Sequence, residues 1–199
     1  EYAYRIALGS TPAFTLLGRP PVYFSGNLLR MPDGSVYGTA SIGSDGNNGC
    51  VYKLTASGIP FEIISIFGEV GGNTPKSLMQ SHDQTFLGTL GTPSATGVAA
   101  FGLTPEAKFS AFPSLPSVPL ETGPDKGLYG LSNGKFFRAD PLTKEVTLEI
   151  PLITGINASS PGLCLASDGN FYGTSSKTIF RITPAGTQTV LTTVSNQGS

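Results

Sequence analysis

Few residues of this sequence have the side-chain types that catalysis requires. The single histidine, His82, stands between Ser81 and Asp83, so the three residue types of a hydrolase triad are consecutive. Neighbouring residues of a strand or turn point in different directions, whereas the members of a triad must converge in space. Glutamates are scattered along the chain, at Glu62, Glu69, Glu106, Glu121, Glu145 and Glu149. We therefore interpret His82 as a polar turn residue and predict no catalytic residue.

Metal or redox chemistry would have to use two cysteines and one segment rich in Asp, Asn and Gly. Cys50 and Cys164 are too few for a disulfide scaffold or an ordinary zinc site, and whether they pair is left open. The segment 45–49 resembles part of a calcium loop, but Ala56 stands where an EF-hand needs its glutamate. These patterns predict neither a metal nor a cofactor.

The composition limits the class of protein. Gly 26 and Pro 16 make up about a fifth of the 199 residues, which favours turns over helices, while 12 Phe and 7 Tyr can supply a core. The formal net charge of −1 gives no electrostatic footprint for nucleic acid. No apolar run approaches the roughly 20 residues that span a bilayer. The sequence predicts a β protein without a nucleic-acid partner or a membrane span.

One pattern of residues recurs along the chain. A turn aspartate is followed by an aromatic or apolar residue and a glycine; the aspartates are Asp33, Asp83, Asp125 and Asp168, and the glycines are Gly38, Gly88, Gly130 and Gly173. Both series step by 50, 42 and 43 residues. An aromatic strand residue recurs after them, at Tyr52, Phe101, Phe137 and Phe180, with Tyr4 as a copy that lacks the preceding turn. The chain is therefore a repeat of about 45 residues.

Each repeat contains four short strand candidates separated by turn sequences. In the last repeat they are 162–166, 171–174, 178–183 and 187–192, and Asp168-Gly169 suits a tight hairpin turn. Four antiparallel strands per repeat of this length are typical of a β-propeller blade, whose faces are buried by stacking on neighbouring blades. The sequence predicts an all-β propeller of four-stranded antiparallel blades, with a β-sandwich as the alternative.

The predicted organisation is a half blade followed by four blades. The half blade, residues 1–17, contains only third and fourth strands; the blades are 18–67, 68–113, 114–153 and 154–199, the last including the start of a linker. The five residues after Val194 are too few to supply the missing strands. We therefore expect an open sheet edge that pairs with the rest of a longer chain or with other copies.

The repeat resembles a known family. The string Asp-Gly-x-x-Tyr-Gly-Thr, followed by a Gly-rich stretch and Val-Tyr-Lys-Leu-Thr or Ile-Phe-Arg-Ile-Thr, is similar to the GloVer tandem repeat of Gloeobacter and Verrucomicrobia. The close copies are 33–39 with 43–54, and 168–174 with 179–183. The second repeat lacks the glycine after Asp83, and the third is shortened between Gly130 and Phe136. The resemblance implies a secreted or surface-anchored propeller without established chemistry, and it carries over no catalytic residue.

Residues that recur in every blade are predicted to serve the fold. An aspartate in a turn accepts hydrogen bonds from the backbone N–H two residues on, and we favour this role over a metal or sugar site. The repeated glycines fit close packing, and the four repeated aromatic residues are predicted blade core. Further residues predicted to be buried between blades are Leu28, Val36, Leu78, Phe86, Leu128, Leu163 and Phe171.

A basic residue also recurs, one position after the repeated aromatic residue. Lys53, Arg138, Arg181 and Arg5 occupy this position, and Gly102 is the exception. We interpret these residues as exposed cations on outer strands, which discourage edge pairing. The alternative is a basic stripe that binds acidic polysaccharide.

Three functions remain open from the sequence. The leading hypothesis is a non-enzymatic extracellular or cell-surface propeller with a structural, adhesive or assembly role. The alternatives are a lectin-like propeller that binds surface glycans and a polysaccharide-acting enzyme with its site in the central channel. Fold alone does not choose among them. Glycosylation at the Asn157-Ala158-Ser159 sequon is left open as well.

Overall fold

β-Strands make up the regular structure of this protein. The computed structural model describes residues 3–7, 13–18, 23–42, 49–54, 61–67, 73–81, 84–92, 99–104, 106, 108–156, 162–175 and 177–193. These residues form 18 strands. Within the same ranges there is no helix of the length and hydrophobicity that crossing a lipid bilayer requires.

The first ten strands form one pair and two four-stranded antiparallel sheets. The pair is β1 (Ala3–Ala7) with β2 (Ala13–Gly18). The first blade is β3 (Tyr23–Arg30), β4 (Val36–Ile42), β5 (Cys50–Leu54) and β6 (Phe61–Ile66). The second blade is β7 (Asn73–Gln80), β8 (Phe86–Thr92), β9 (Ala100–Leu103) and β10 (Phe109–Phe112). Assembly through the edges of the β1–β2 pair stays a prediction.

The last eight strands form two further sheets with the same order. The third blade is β11 (Glu121–Thr122), β12 (Leu128–Ser132), β13 (Lys135–Ala139) and β14 (Val146–Pro151). The fourth blade is β15 (Leu163–Leu165), β16 (Phe171–Thr174), β17 (Thr178–Ile182) and β18 (Gln188–Thr193). The predicted fold class is confirmed: four antiparallel four-stranded blades form a β-propeller arrangement.

The repeated glycine and the repeated aromatic residue are cross-strand neighbours in every blade. The pairs are Gly38 with Tyr52, Gly88 with Phe101, Gly130 with Phe137 and Gly173 with Phe180. A Cβ added to Gly130 would lie 2.7 Å from Cζ of Phe137, and one added to Gly173 would lie 2.5 Å from Cζ of Phe180. The aromatic ring therefore lies across the glycine, where any side chain would collide with it.

The core consists of separate apolar layers between successive blades. The layer between the first and second blades contains Val51, Phe67, Leu78, Phe86, Leu90, Phe101 and Leu103. The next contains Leu87, Ala100, Leu115, Leu128, Phe137 and Ala139. The layer between the third and fourth blades contains Tyr129, Leu131, Phe136, Ile156, Phe171, Phe180 and Ile182. Each layer is built from residues that alternate along the strands, so one sheet supplies two layers.

One predicted core residue is wrong. Leu28 is 62% exposed, because β3 carries a bulge: Ser25 pairs with Thr39 and Leu29 with Tyr37, so three residues lie opposite one. Gly26 supplies the positive φ, +70°, at the start of this bulge. Leu29 packs against the core instead. Val36 and Leu163 are half-buried and border apolar clusters.

Candidate functional site

A cavity of about 650 Å³ lies between the first strands of the four blades. We call it the central channel. Its polar lining comes from Asn27 of β3, Lys76, Ser77 and Gln80 of β7, and Glu121 and Thr122 of β11. Leu29, Leu78 and Leu163 add apolar surface. Each first strand is the edge strand of its sheet.

Side chains of the first blade hold the edge of the second blade in place. The Asn27 amide donates to the Leu78 carbonyl oxygen at 2.8 Å and accepts from the Leu78 N–H at 2.9 Å. The Ser25 hydroxyl donates to the Pro75 carbonyl oxygen at 2.6 Å. These bonds replace a strand partner for β7 and fix one wall of the channel.

Glu121 is the carboxylic acid of the channel. Its side chain is half-buried, and burial raises the pKa of this carboxyl, while a hydrogen bond from the Leu165 N–H acts in the opposite direction. That hydrogen bond also joins the third blade to the fourth. A half-buried carboxyl with a raised pKa in a cavity is typical of functional sites.

Thr122, the next residue, carries a buried hydroxyl in the same wall. Its Oγ1 has no hydrogen-bond partner among the described residues. Burying a hydroxyl without a partner costs free energy, so such groups are normally satisfied by protein, water or ligand. Glu121 and Thr122 both contribute to the channel lining, but neighbouring residues of a strand point to opposite sides of the sheet, and Oγ1 of Thr122 is closed off from solvent.

Glu121 and Thr122 were not singled out by the sequence analysis. Register across the blades shows a signal that was available: the first-strand residue opposite the second-strand aromatic or leucine is Leu29, Met79, Glu121 or Cys164. A carboxylate stands where the other repeats have an apolar residue or a cysteine. An alignment of the repeats on the residues that they share does not show this difference.

The three repeated aspartates within the described residues, Asp33, Asp125 and Asp168, lie in turns away from the channel lining. Oδ1 of Asp33 accepts from the Ser35 N–H at 2.9 Å, and Oδ1 of Asp125 accepts from the Gly127 N–H at 3.0 Å. Oδ1 of Asp168 accepts from the Asn170 N–H at 3.0 Å. Each aspartate thus hydrogen-bonds the backbone two residues on, which fixes the hairpin reversal.

Some sequence-predicted residues lie outside the described part of the chain. These are His82, Asp83 and Asn157. Of the two cysteines, Cys50 is a buried thiol and Cys164 is an exposed thiol, and no disulfide joins them.

Three of the four repeated cations lie on inner strands, which corrects the sequence-based interpretation for these three. β5, β13 and β17 each have a strand on both sides, and Lys53, Arg138 and Arg181 are only half-exposed. Nε of Arg138 is 2.8 Å from Oδ2 of Asp125, and Nζ of Lys53 lies 5.5 Å from the ring centroid of Tyr37. These charges interact within their own blades, which weighs against a free basic stripe.

The repeated turns predict that the protein loses stability in acid. The Ser35 hydroxyl and N–H lower the pKa of Asp33, and the Asn170 side chain and N–H lower the pKa of Asp168. A folded-state pKa below the ordinary 3.8 gives stability that is present above that pH and is lost as pH falls through the folded value. We expect the Tm to fall below about pH 4, and to fall less in Asp168→Asn.

Thermal unfolding followed between pH 2 and pH 7 tests this expectation. The exposed Glu106 gives the control, since Glu106→Gln removes a carboxylate elsewhere and should retain the acid sensitivity of the unaltered protein. If the Tm of Asp168→Asn falls in acid as much as that of the unaltered protein, the Asp168 carboxylate does not contribute to the acid sensitivity.

The comparisons with known proteins concern the fold. No protein-family model matches the sequence, and no curated protein matches it. An auxiliary nutrient binding protein from Bacteroides ovatus matches with a TM-score of 0.67 and 10% identity, over 89% of this chain and 44% of that one. A chain of the nidogen/laminin complex matches with a TM-score of 0.67 and 15% identity, over 94% and 73%.

A third similar structure is a gluconolactonase from Xanthomonas campestris. Its TM-score is 0.63 and its identity 12%, over 94% of this chain and 66% of that one. This chain therefore spans less than half the length of the nutrient binding protein and about two thirds of the gluconolactonase. At such identities the likeness shows the fold alone: the protein is a β-propeller.

Proposed function

We propose that this protein is an extracellular or cell-surface propeller that binds a small, neutral, polyhydroxylated ligand of the sugar class in the central channel. The observation that carries the proposal is the half-buried carboxyl of Glu121 in a channel that is also lined by the polar residues Asn27, Lys76, Ser77 and Gln80. The extracellular location is supported by the low content of charged residues, 13%, and by the resemblance to the GloVer repeat.

The chemistry of the channel suits such a ligand. A sugar hydroxyl can donate a hydrogen bond to the Glu121 carboxylate. Lys76 and Gln80 supply donors on the facing strand β7, while Leu29 and Leu163 provide apolar surface for C–H groups. A volume of about 650 Å³ is within the range of small-ligand sites.

Binding is proposed ahead of catalysis because these groups are hydrogen-bonding partners for a ligand. The nutrient binding protein and the gluconolactonase are each compatible with a ligand held by a propeller. The structural or adhesive role favoured by the sequence analysis rests on the stacked blades alone, whereas the channel gives a specific location and a specific chemistry.

Titration calorimetry against a panel of neutral mono- and disaccharides tests the proposal. We expect a bound sugar, and we expect Glu121→Gln to weaken its binding. Glutamine keeps the size of the side chain and one accepting oxygen, so the expected loss is the difference between a charged and a neutral hydrogen bond, about 1 kcal/mol or roughly fivefold in Kd.

The matched control is Glu149→Gln in β14. Glu149 is an exposed carboxylate, 2.6 Å from Nζ of Lys135 and outside the channel lining, so its replacement should leave the Kd unchanged. A protein that binds none of the sugars, or a Glu121→Gln variant that binds as tightly as the unaltered protein, would contradict the proposal.

A further inference from the structure

One side of the fourth blade is built like the buried sides of the other blades but is exposed. Ile179 precedes the core aromatic Phe180 and points to the opposite side of the sheet. The residues at the same position in the other blades, Val51, Ala100 and Phe136, are 0%, 1% and 0% exposed. Ile179 is 40% exposed. We call the side of the fourth blade that carries Ile179 the fourth-blade face.

The residue at the bulge of the fourth strand shows the same difference in exposure. Leu191 lies between the residues that pair with Ile179 and Phe180, as Ile64 lies between those that pair with Val51 and Tyr52. Ile64 packs against the apolar layer between the first and second blades. Leu191 is 48% exposed. Two apolar residues of the fourth-blade face therefore lack the cover that their counterparts have.

The second-strand tyrosine points to the kind of surface that would cover this face. The ring centroids of Tyr37 and of Phe86 in the following blade are 4.5 Å apart, and those of Tyr129 and Phe171 are 4.6 Å apart. Tyr172 holds the same position, and within the described ranges no aromatic ring packs against it. In each interface the facing residue is the first of a second strand.

We propose that the fourth-blade face packs against a further four-stranded blade of the same repeat. The added blade would use the side that, in the second, third and fourth blades, packs against the preceding blade. That side carries the aromatic ring that lies across a glycine and the apolar residue that begins the second strand. The interface between the fourth blade and this blade continues the three apolar layers already described.

A second copy of this chain does not offer the same surface from its first blade. The side of the first blade that faces away from the second blade contains Ala40, Cys50 and Tyr52. These residues are 0%, 0% and 1% exposed, so they are already covered. An isolated blade cannot bury its own two faces, so the blade that docks here is one joined to a propeller chain.

The test adds a blade to the full chain. Residues 154–199 are duplicated at the C-terminus, and the cysteine of the added copy is replaced by serine. Cys164 pairs with Tyr172 on the fourth-blade face and is exposed, whereas Cys50 is buried, so thiol labelling reports on coverage of this face. We expect labelling of Cys164 to slow by about tenfold or more in the extended chain, and its Tm to rise.

Ile179→Lys is the matched variant. In the unextended chain it should leave the Tm nearly unchanged, because Ile179 is exposed there, which shows that the variant folds. In the extended chain it should restore fast labelling of Cys164 and remove the gain in Tm.

Three results would overturn the proposal. One is an extended chain in which Cys164 reacts as fast as before, whether or not the added blade folds. Another is slow labelling that Ile179→Lys does not reverse. The third is an unextended chain that dimerises in sedimentation with Cys164 protected, since a second copy would then be the occupant.

Discussion

Phe180→Ala should lower the free energy of unfolding by about 3–5 kcal/mol, the usual cost of removing a fully buried phenylalanine ring. Phe180 is 0% exposed and belongs to the layer between the third and fourth blades, where it packs with Phe171 and Phe136. The loss is a large share of the 5–15 kcal/mol that stabilises a typical domain. Urea unfolding followed by circular dichroism measures it.

The neighbouring residue provides the control. Ile179 is adjacent in the same strand but is 40% exposed on the opposite side, so Ile179→Ala should cost about 1 kcal/mol or less. Similar losses for the two variants would mean that the assignment of the two faces of β17 is wrong.

Gly130→Ala should destabilise the protein by about 1–3 kcal/mol through overpacking, although alanine is otherwise favoured over glycine in a strand by about 0.5–1 kcal/mol. The new methyl group would stand 2.7 Å from Cζ and 2.8 Å from Cε1 of Phe137. The ring is fully buried between the second and third blades, so it has little room to move. Urea unfolding again measures the change.

A double-mutant cycle isolates the cause. In a Phe137→Leu background the ring is absent, so Gly130→Ala should cost less than it does in the unaltered protein. Gly162 serves as the positional control, because a Cβ added there meets nothing within 4 Å and Gly162→Ala should be nearly neutral. An equal cost of Gly130→Ala in both backgrounds would contradict the claim that contact with the aromatic ring requires glycine at this position of the repeat.

The propeller was predictable from the sequence because its main contacts are periodic. The step of 50, 42 and 43 residues appears in both the aspartates and the glycines, and each glycine lies opposite the aromatic residue that follows it. The aspartate turns were equally visible, since an Asx turn depends on residues two apart. What repeats in a chain of blades is what every blade needs to fold and stack.

What does not repeat was not predictable in the same way. The exposure of Leu28 follows from the bulge between Ser25 and Leu29 in β3, and the environment of Arg138 follows from the position of its strand within the sheet. Glu121 and Thr122 lie in a strand of two residues, and they line one channel only because the first strands of four blades lie around it. The spacing of residues in the sequence does not specify which first strands face one another across the central channel.

Backbone amide shifts in the NMR spectrum of the labelled protein, recorded with and without a neutral sugar, test the central claim most directly. We predict that the largest shifts fall on the channel walls, at residues 78–80 of β7 and 121–122 of β11. The fourth strands β6, β14 and β18, at the opposite edges of their sheets, should shift least. Shifts confined to those outer strands, or no shift with any sugar of the panel, would contradict a ligand site in the channel.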